Sequence, residues 1–358
     1  MANIGVIGAG YWAQNMLRVI GDCDDARLRW ICDSDAKALH GAAGRYAGAL
    51  TTADFLEVVN DPETDAVYIA TPPHTHVKIA KAALEAGKHV LVEKPLSTDS
   101  FEALDLIETA ARNERTLMAG HTFLYSAPVC KVKALIESGQ LGDVFYIDSA
   151  RVNLGRYQPS GVIWDLAPHD LSIVCYWLDM APIAVNATAG SYRGTSSEDV
   201  AFITLEFPNG ALAQIHVSWL APAKLRRTTI SGSKQMVVYD DTAGPEAVRV
   251  YDQGVEASNP ETFGEFQLTY RRGDVTIPFL EPIEPLRREF QHFLDCAATG
   301  KRPLSDGASG FRIVRIIEAV HRAVESGKRE EIDWSQRQQT TTKPRERFGV
   351  ALSSEYSQ

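Results

Sequence analysis

Short apolar runs alternate with amphipathic stretches over the first third of the chain. Residues 3–8, 28–33, 66–71, 89–93 and 116–120 are runs of β-forming residues, and 75–87 and 97–114 carry apolar positions at helical spacing. Strand and helix in strict alternation predict a parallel, doubly wound sheet. Past residue 122 the grammar changes. Helices near 126–138 and across 164–178 precede strand-like runs at 182–192, 200–207, 210–220, 226–233, 234–240 and 247–252, punctuated by turn residues, with "FPNG" at 207–210 reading as a hairpin turn. This predicts an open antiparallel sheet. Helices over 285–299 and 307–326 and a strand within 330–334 close the second unit. The expected organisation is therefore a first domain over 1–121, an α+β domain over 122–334, and a Gln-, Thr- and Ser-rich arm over 335–358.

Composition narrows the class further. The 358 residues are 45% hydrophobic and 23% charged, as in an ordinary globular protein, and the net charge of -10 provides no field to gather nucleic acid. Cys23, Cys32, Cys130, Cys175 and Cys296 are scattered without a CxxC pair, so neither a disulfide framework nor a metal site is expected. No apolar run reaches the length of a membrane span, and the chain reads as cytoplasmic, without nucleic acid or membrane partners.

The first chemical motif follows the first strand. Gly8, Gly10 and Ala13 form a GxGxxA turn around Tyr11 and Trp12, where small residues let a pyrophosphate approach a helix N-terminus. Asp33 ends the second strand, where an acid hydrogen-bonds the adenosine ribose, and Ser34 stands beside it. A carboxylate there repels a 2′-phosphate, so the expected cofactor is NAD rather than NADP. A tight turn alone would explain the glycines but not the acid.

Two further strand ends point at the same edge. The run after residue 70 is "TPPHTH", with Thr71, Pro72, His74 and His76 as cofactor-side candidates; no third residue at ligand spacing supports a metal. The strand at 89–93 ends in Glu93, Lys94 and Pro95. A lysine at that edge can donate to a substrate hydroxyl, though a solvated strand-end lysine is the commoner case. On the helix across 164–178, Asp165 and His169 are four residues apart and share a face, with Asp170 next in sequence. A buried acid and imidazole can be a satisfied core pair; three such groups in six residues of an apolar helix favour a task.

In this order, GxGxxA, Asp33, "TPPHTH", "EKP" and the DxxxHD of Asp165, His169 and Asp170 resemble the glucose-fructose oxidoreductase, inositol dehydrogenase and MocA-like (Gfo/Idh/MocA) family over residues 1–334. The resemblance implies a Rossmann domain followed by a domain with a large open antiparallel sheet. It also implies hydride exchange between a sugar carbinol and NAD, with Lys94, Asp165 and His169 as the catalytic set, and association as a homodimer or homotetramer. His169 would serve as general acid/base and Lys94 would polarise the hydroxyl, and either can move the proton. The stretches 120–129 and 162–173 resemble nucleotide-sugar 3-dehydrogenases, such as those acting on UDP-N-acetylglucosamine. That reading places oxidation at C3 and adds His121, Tyr125, Arg151, Asn153, Arg156 and Trp164 as substrate contacts. An inositol or aldose dehydrogenase, and a sensor of the same fold without turnover, are the rival readings; the sensor would be expected to lack Lys94 or His169.

Overall fold

The computed structural model describes residues 1–155, 157–194, 197–257 and 268–335. The first unit runs β1 (Ala2–Ile7), α1 (Ala13–Gly21), β2 (Ala26–Cys32), α2 (Ala36–Ala43), β3 (Leu50–Thr52), α3 (Phe55–Asn60), β4 (Ala66–Ile69), α4 (Pro73–Glu85), β5 (His89–Glu93), α5 (Ser100–Arg112) and β6 (Leu117–Gly120). Its six strands are all parallel in the order β3-β2-β1-β4-β5-β6. This is the doubly wound order, whose ligands sit beyond the carboxyl ends of the strands. β4 is buried along its whole length, as are Val90 to Glu93 of β5, which explains their unbroken apolar runs. Asp35, Asp54 and Asp99 start α2, α3 and α5 by accepting hydrogen bonds from main-chain N–H groups of the first turn.

The second unit holds α6 (Ala127–Glu137), β7 (Val144–Leu154), α7 (Gly161–Leu178), β8 (Ala184–Gly190), β9 (Val200–Glu206), β10 (Leu212–Ser218), β11 (Leu220–Gly232), β12 (Met236–Asp240), β13 (Val248–Ala257), β14 (Leu268–Thr276), α8 (Pro285–Thr299), α9 (Gly307–Ser326) and β15 (Glu330–Glu331). Nine strands form one sheet, β14-β13-β12-β11-β7-β10-β9-β8-β15. It is antiparallel except for one pair: β10 runs parallel to β7, because the chain returns to β7 only after α7 and the β8–β9 hairpin. One face buries Ile147, Ile203, Ile215, Val217 and Ile230, and α7 lies across β7, β9 and β10. The other face turns outward.

Two connections matter for the site. β10 and β11 flank β7 on opposite sides, so the chain crosses the end of β7 at a single residue, Trp219, whose carbonyl accepts a hydrogen bond from Gly155 N. At the other end, residues 305–306 return to the free edge of β6. Ala119 N donates to Ser305 O at 2.7 Å, Met118 and Asp306 form an antiparallel bridge, and α9 then covers β6 and α5. At Gly310 of α9 a Cβ would stand 2.9 Å from Leu96 Cδ2 and 3.1 Å from Ala119 Cβ, so this approach leaves no room for a side chain. The arm expected over 335–358 lies, beyond Ser335, outside the described residues. Among the described residues no helix is long and apolar enough to cross a membrane.

Candidate active site

The turn after β1 is shaped around space that the chain leaves open. Gly8 has φ +98°, and a Cβ there would stand 2.6 Å from Ala70 O, so only glycine fits. Gly10 is different: a Cβ would meet no protein atom within 4 Å, and its side faces outward. Trp12 supplies no side-chain cap to α1, which leaves first-turn N–H groups aimed into the same space. Asp33, at the end of β2, accepts from Ala9 N at 2.6 Å and from Asp35 N at 2.8 Å. These residues fit a dinucleotide: Gly10 and the start of α1 would hold its pyrophosphate and Asp33 its adenosine ribose, beside exposed Ser34 and Tyr11.

At the next strand ends two side chains, the cofactor-side candidate His76 and Glu93, are held by the chain itself. His76 is not free to touch a cofactor: it is buried, with Nδ1 2.8 Å from Pro95 O and Nε2 2.7 Å from Thr71 O. It ties the loop after β4 to the loop after β5. Glu93 is likewise enclosed. Trp12 Nε1 and the Tyr68 hydroxyl both donate to its Oε1, at 2.5 and 2.6 Å, and burial raises its pKa. Thr71, Pro72 and His74 remain at the rim, half-buried or exposed.

Lys94 leaves this edge and reaches the second unit. Its Nζ donates to Asp165 O at 2.7 Å and stands 3.3 Å from Asp165 Oδ1, while Trp219 Nε1 donates to Asp165 Oδ2 at 3.1 Å. The crossover residue thus fixes the acid from the far side. One turn along α7, His169 meets Phe123 edge-on with ring centroids 4.9 Å apart, and its buried Nδ1 has no partner among the described residues. Burial and the nearby charges of Lys94 and Arg151 hold its pKa well below the ordinary histidine value, so the ring is neutral. His121, at the end of β6, is 2% exposed with neither ring nitrogen partnered among the described residues; burial, then Lys94, pushes its pKa down to about 4. An ammonium, a carboxylate and a neutral imidazole therefore converge on one place.

The remaining candidates divide. Arg151 is not an open ligand-binding side chain: its Nε and Nη2 bond Asp170 at 2.5 and 3.4 Å, Ser149 completes the acid, and only the buried Nη1 is unused. Tyr125 is also buried, its hydroxyl 3.0 Å from Ser305 Oγ. Both were expected to meet substrate, and both are held by the interior instead. Asn153 is half-buried on β7, and Trp164 stacks on His321 at 6.1 Å. Arg156 lies outside the described residues. Trp219 and Phe123 went unnoticed in the sequence. Phe123 carries the Arg151 guanidinium 4.6 Å from its ring centroid as well as the His169 edge.

Parallel sheet, open turn, and an acid and imidazole brought by one helix to a strand-end lysine together define a dinucleotide-dependent oxidoreductase. The chain belongs to the Gfo/Idh/MocA family: residues 2–121 match "Oxidoreductase family, NAD-binding Rossmann fold" and residues 129–238 match "GFO/IDH/MocA C-terminal domain". It is similar to inositol 2-dehydrogenase 2 of Saccharopolyspora erythraea, 31% identical over 224 residues, which span 60% of this chain and 66% of that protein. A D-xylose 1-dehydrogenase [NADP(+)] of Haloarcula marismortui is 26% identical over 90% of each chain. The solved UDP-N-acetylglucosamine 3-dehydrogenase of Acidithiobacillus ferrooxidans shares the fold, with a TM-score of 0.76 at 24% identity, covering 90% of this chain and 97% of that one.

Proposed function

We propose that this chain is an NAD-dependent dehydrogenase that oxidises a secondary hydroxyl of a cyclic sugar or nucleotide-sugar, at C3, to the ketone. The observation that carries the proposal is the contact of Lys94 with Asp165 beside a neutral His169. NAD would supply the hydride acceptor. The chain supplies the rest. An ammonium has three N–H donors, and two are directed at the Asp165 carbonyl and carboxylate, which leaves one for the substrate oxygen. Asp165, braced by Trp219, sets the direction of that third donor. A neutral His169 can accept the hydroxyl proton, and the cations around it disfavour keeping that proton, so the ring passes it on.

Asp33 supports NAD over NADP, because a 2′-phosphate at the ribose would meet its carboxylate. Calorimetry is expected to give tighter NAD binding; tighter NADP binding would contradict that assignment. A second reading has its own support. Arg151, one of the substrate contacts expected for a nucleotide-sugar, is committed to Asp170, which favours an inositol or simple sugar, in line with the inositol dehydrogenase relative.

The test is cofactor reduction with a panel of inositols, aldoses and UDP-sugars, followed by single-turnover hydride transfer in variants. Lys94→Ala and His169→Asn are each expected to slow transfer roughly 10²–10⁴-fold with little change in Tm, and the double variant to lose far less than the product. A Lys94→Ala rate within about threefold of wild type would rule out its catalytic role.

A further inference from the structure

Behind the catalytic face of α7, the helices α6 and α7 and the start of α9 line a half-open cavity of about 460 Å³, a size that takes a small metabolite. Most of the charge lining it is already neutralised. Lys133 pairs with Glu137 at 3.4 Å and Arg302 with Asp306, while Asp179 is exposed at the end of α7. Arg312 and the exposed Asp179 are the exceptions, and of the two only Arg312 is a cation. It is half-buried on α9, lines the cavity, and has no ion pair or hydrogen bond among the described residues. His121 forms part of the same wall, 2% exposed, with both ring nitrogens unpartnered among the described residues. The half-buried Tyr176 also lines the cavity, and its hydroxyl has no hydrogen bond among the described residues.

A polar group removed from water without a partner is unfavourable, and His121 carries two such nitrogens on the wall of this pocket, where the half-buried Arg312 and Tyr176 add polar groups that bond nothing else among the described residues. A guanidinium calls for a planar or tetrahedral oxyanion, and a neutral imidazole and a phenol call for hydroxyl or further oxyanion oxygens. We propose that this cavity is a second binding site, for a small hydroxylated metabolite bearing a carboxylate or phosphate. Arg312 holds the oxyanion, and His121 and Tyr176 hold its oxygens. The site does not depend on the dehydrogenase reading. It shares a wall with the catalytic set through His121, the residue that also feels the charge of Lys94.

Calorimetry on the full chain saturated with NAD, which keeps added anions off the turn after β1, tests the site. Gluconate and glucose 6-phosphate are the carboxylate and phosphate probes, with inorganic phosphate beside them. The expected result is one-to-one binding of at least one probe, weakened roughly tenfold or more in Arg312→Gln with NAD affinity unchanged, as for loss of a charge-assisted contact. Binding of gluconate alone or of the phosphates alone names the class. If Arg312→Gln fails to fold, Tyr176→Phe, which keeps the ring, is expected to weaken the same binding about threefold, the loss of one hydrogen bond. No binding of any probe, or equal binding in the variants, overturns the proposal.

Discussion

His121 is buried with neither ring nitrogen partnered among the described residues, and its pKa, pushed down to about 4, makes it a reporter of stability. In the unfolded chain a histidine takes up its proton near pH 6.5, whereas His121 in the folded protein stays neutral until about 4. Between those values the unfolded state binds more protons, so stability rises with pH there. Its contribution is complete above about 6.5 and is lost as pH falls, by roughly 2 kcal/mol at pH 5. Urea unfolding at pH 7 and pH 5 is expected to show this loss in wild type and a smaller one in His121→Gln, with His169 supplying the remainder. An unchanged difference would mean that His121 is protonated or exposed in the fold. At this scale the sequence was readable where chemistry is unusual for its surroundings: Lys94 after an apolar strand, Asp165 and His169 on an apolar helix. Trp219 and Phe123 were not readable. They lie in runs that look like ordinary core, and only the crossover at β7 and the stacking on Arg151 give them a role.

The β1–α1 turn separates two uses of glycine. Gly8→Ala is expected to destabilise the protein by about 1–3 kcal/mol for the positive φ alone, and further because the Cβ meets Ala70 O. Gly10→Ala meets nothing, so its melting temperature should stay close to wild type while NAD affinity falls roughly tenfold, the new methyl standing where the pyrophosphate approaches. Paired thermal and calorimetric measurements check both; unaltered NAD affinity in Gly10→Ala would place the pyrophosphate elsewhere. Elements with a consistent period were legible. α8 and α9 fall at the expected residues, and the strands of the first sheet except β3 at nearly so. β7 was missed for a physical reason. Its inward face carries Ser149 and Arg151, bonded to Asp170 and, for Ser149, to Thr228, so the apolar alternation that marks a half-buried strand is broken at the centre of the sheet. β3 has three residues, too few for any period to appear.

Over the whole molecule, the outward face of the nine-stranded sheet carries Tyr146, Phe202 and Leu212, exposed by 46, 46 and 48%, on the adjacent strands β7, β9 and β10. Phe202 also stacks on His216 at 4.4 Å, which makes a flat aromatic centre. Such a face is expected to bury itself against a second copy, giving a dimer or tetramer by light scattering, and Phe202→Glu should shift the population toward monomer. A wild-type monomer at micromolar concentration would contradict this. The return of residues 305–306 to the edge of β6, with α9 over it, bears on how the protein is made. A ribosome delivers the parallel sheet first, yet that sheet stays open along β6 until residues 305–326 emerge. Order of synthesis and order of completion are opposed. A nascent chain paused after β6 shows an unpaired strand edge and an uncovered α5, the surfaces through which unfinished chains stick to one another. Truncation before Ser305 would therefore release a sheet primed for aggregation rather than a shorter oxidoreductase.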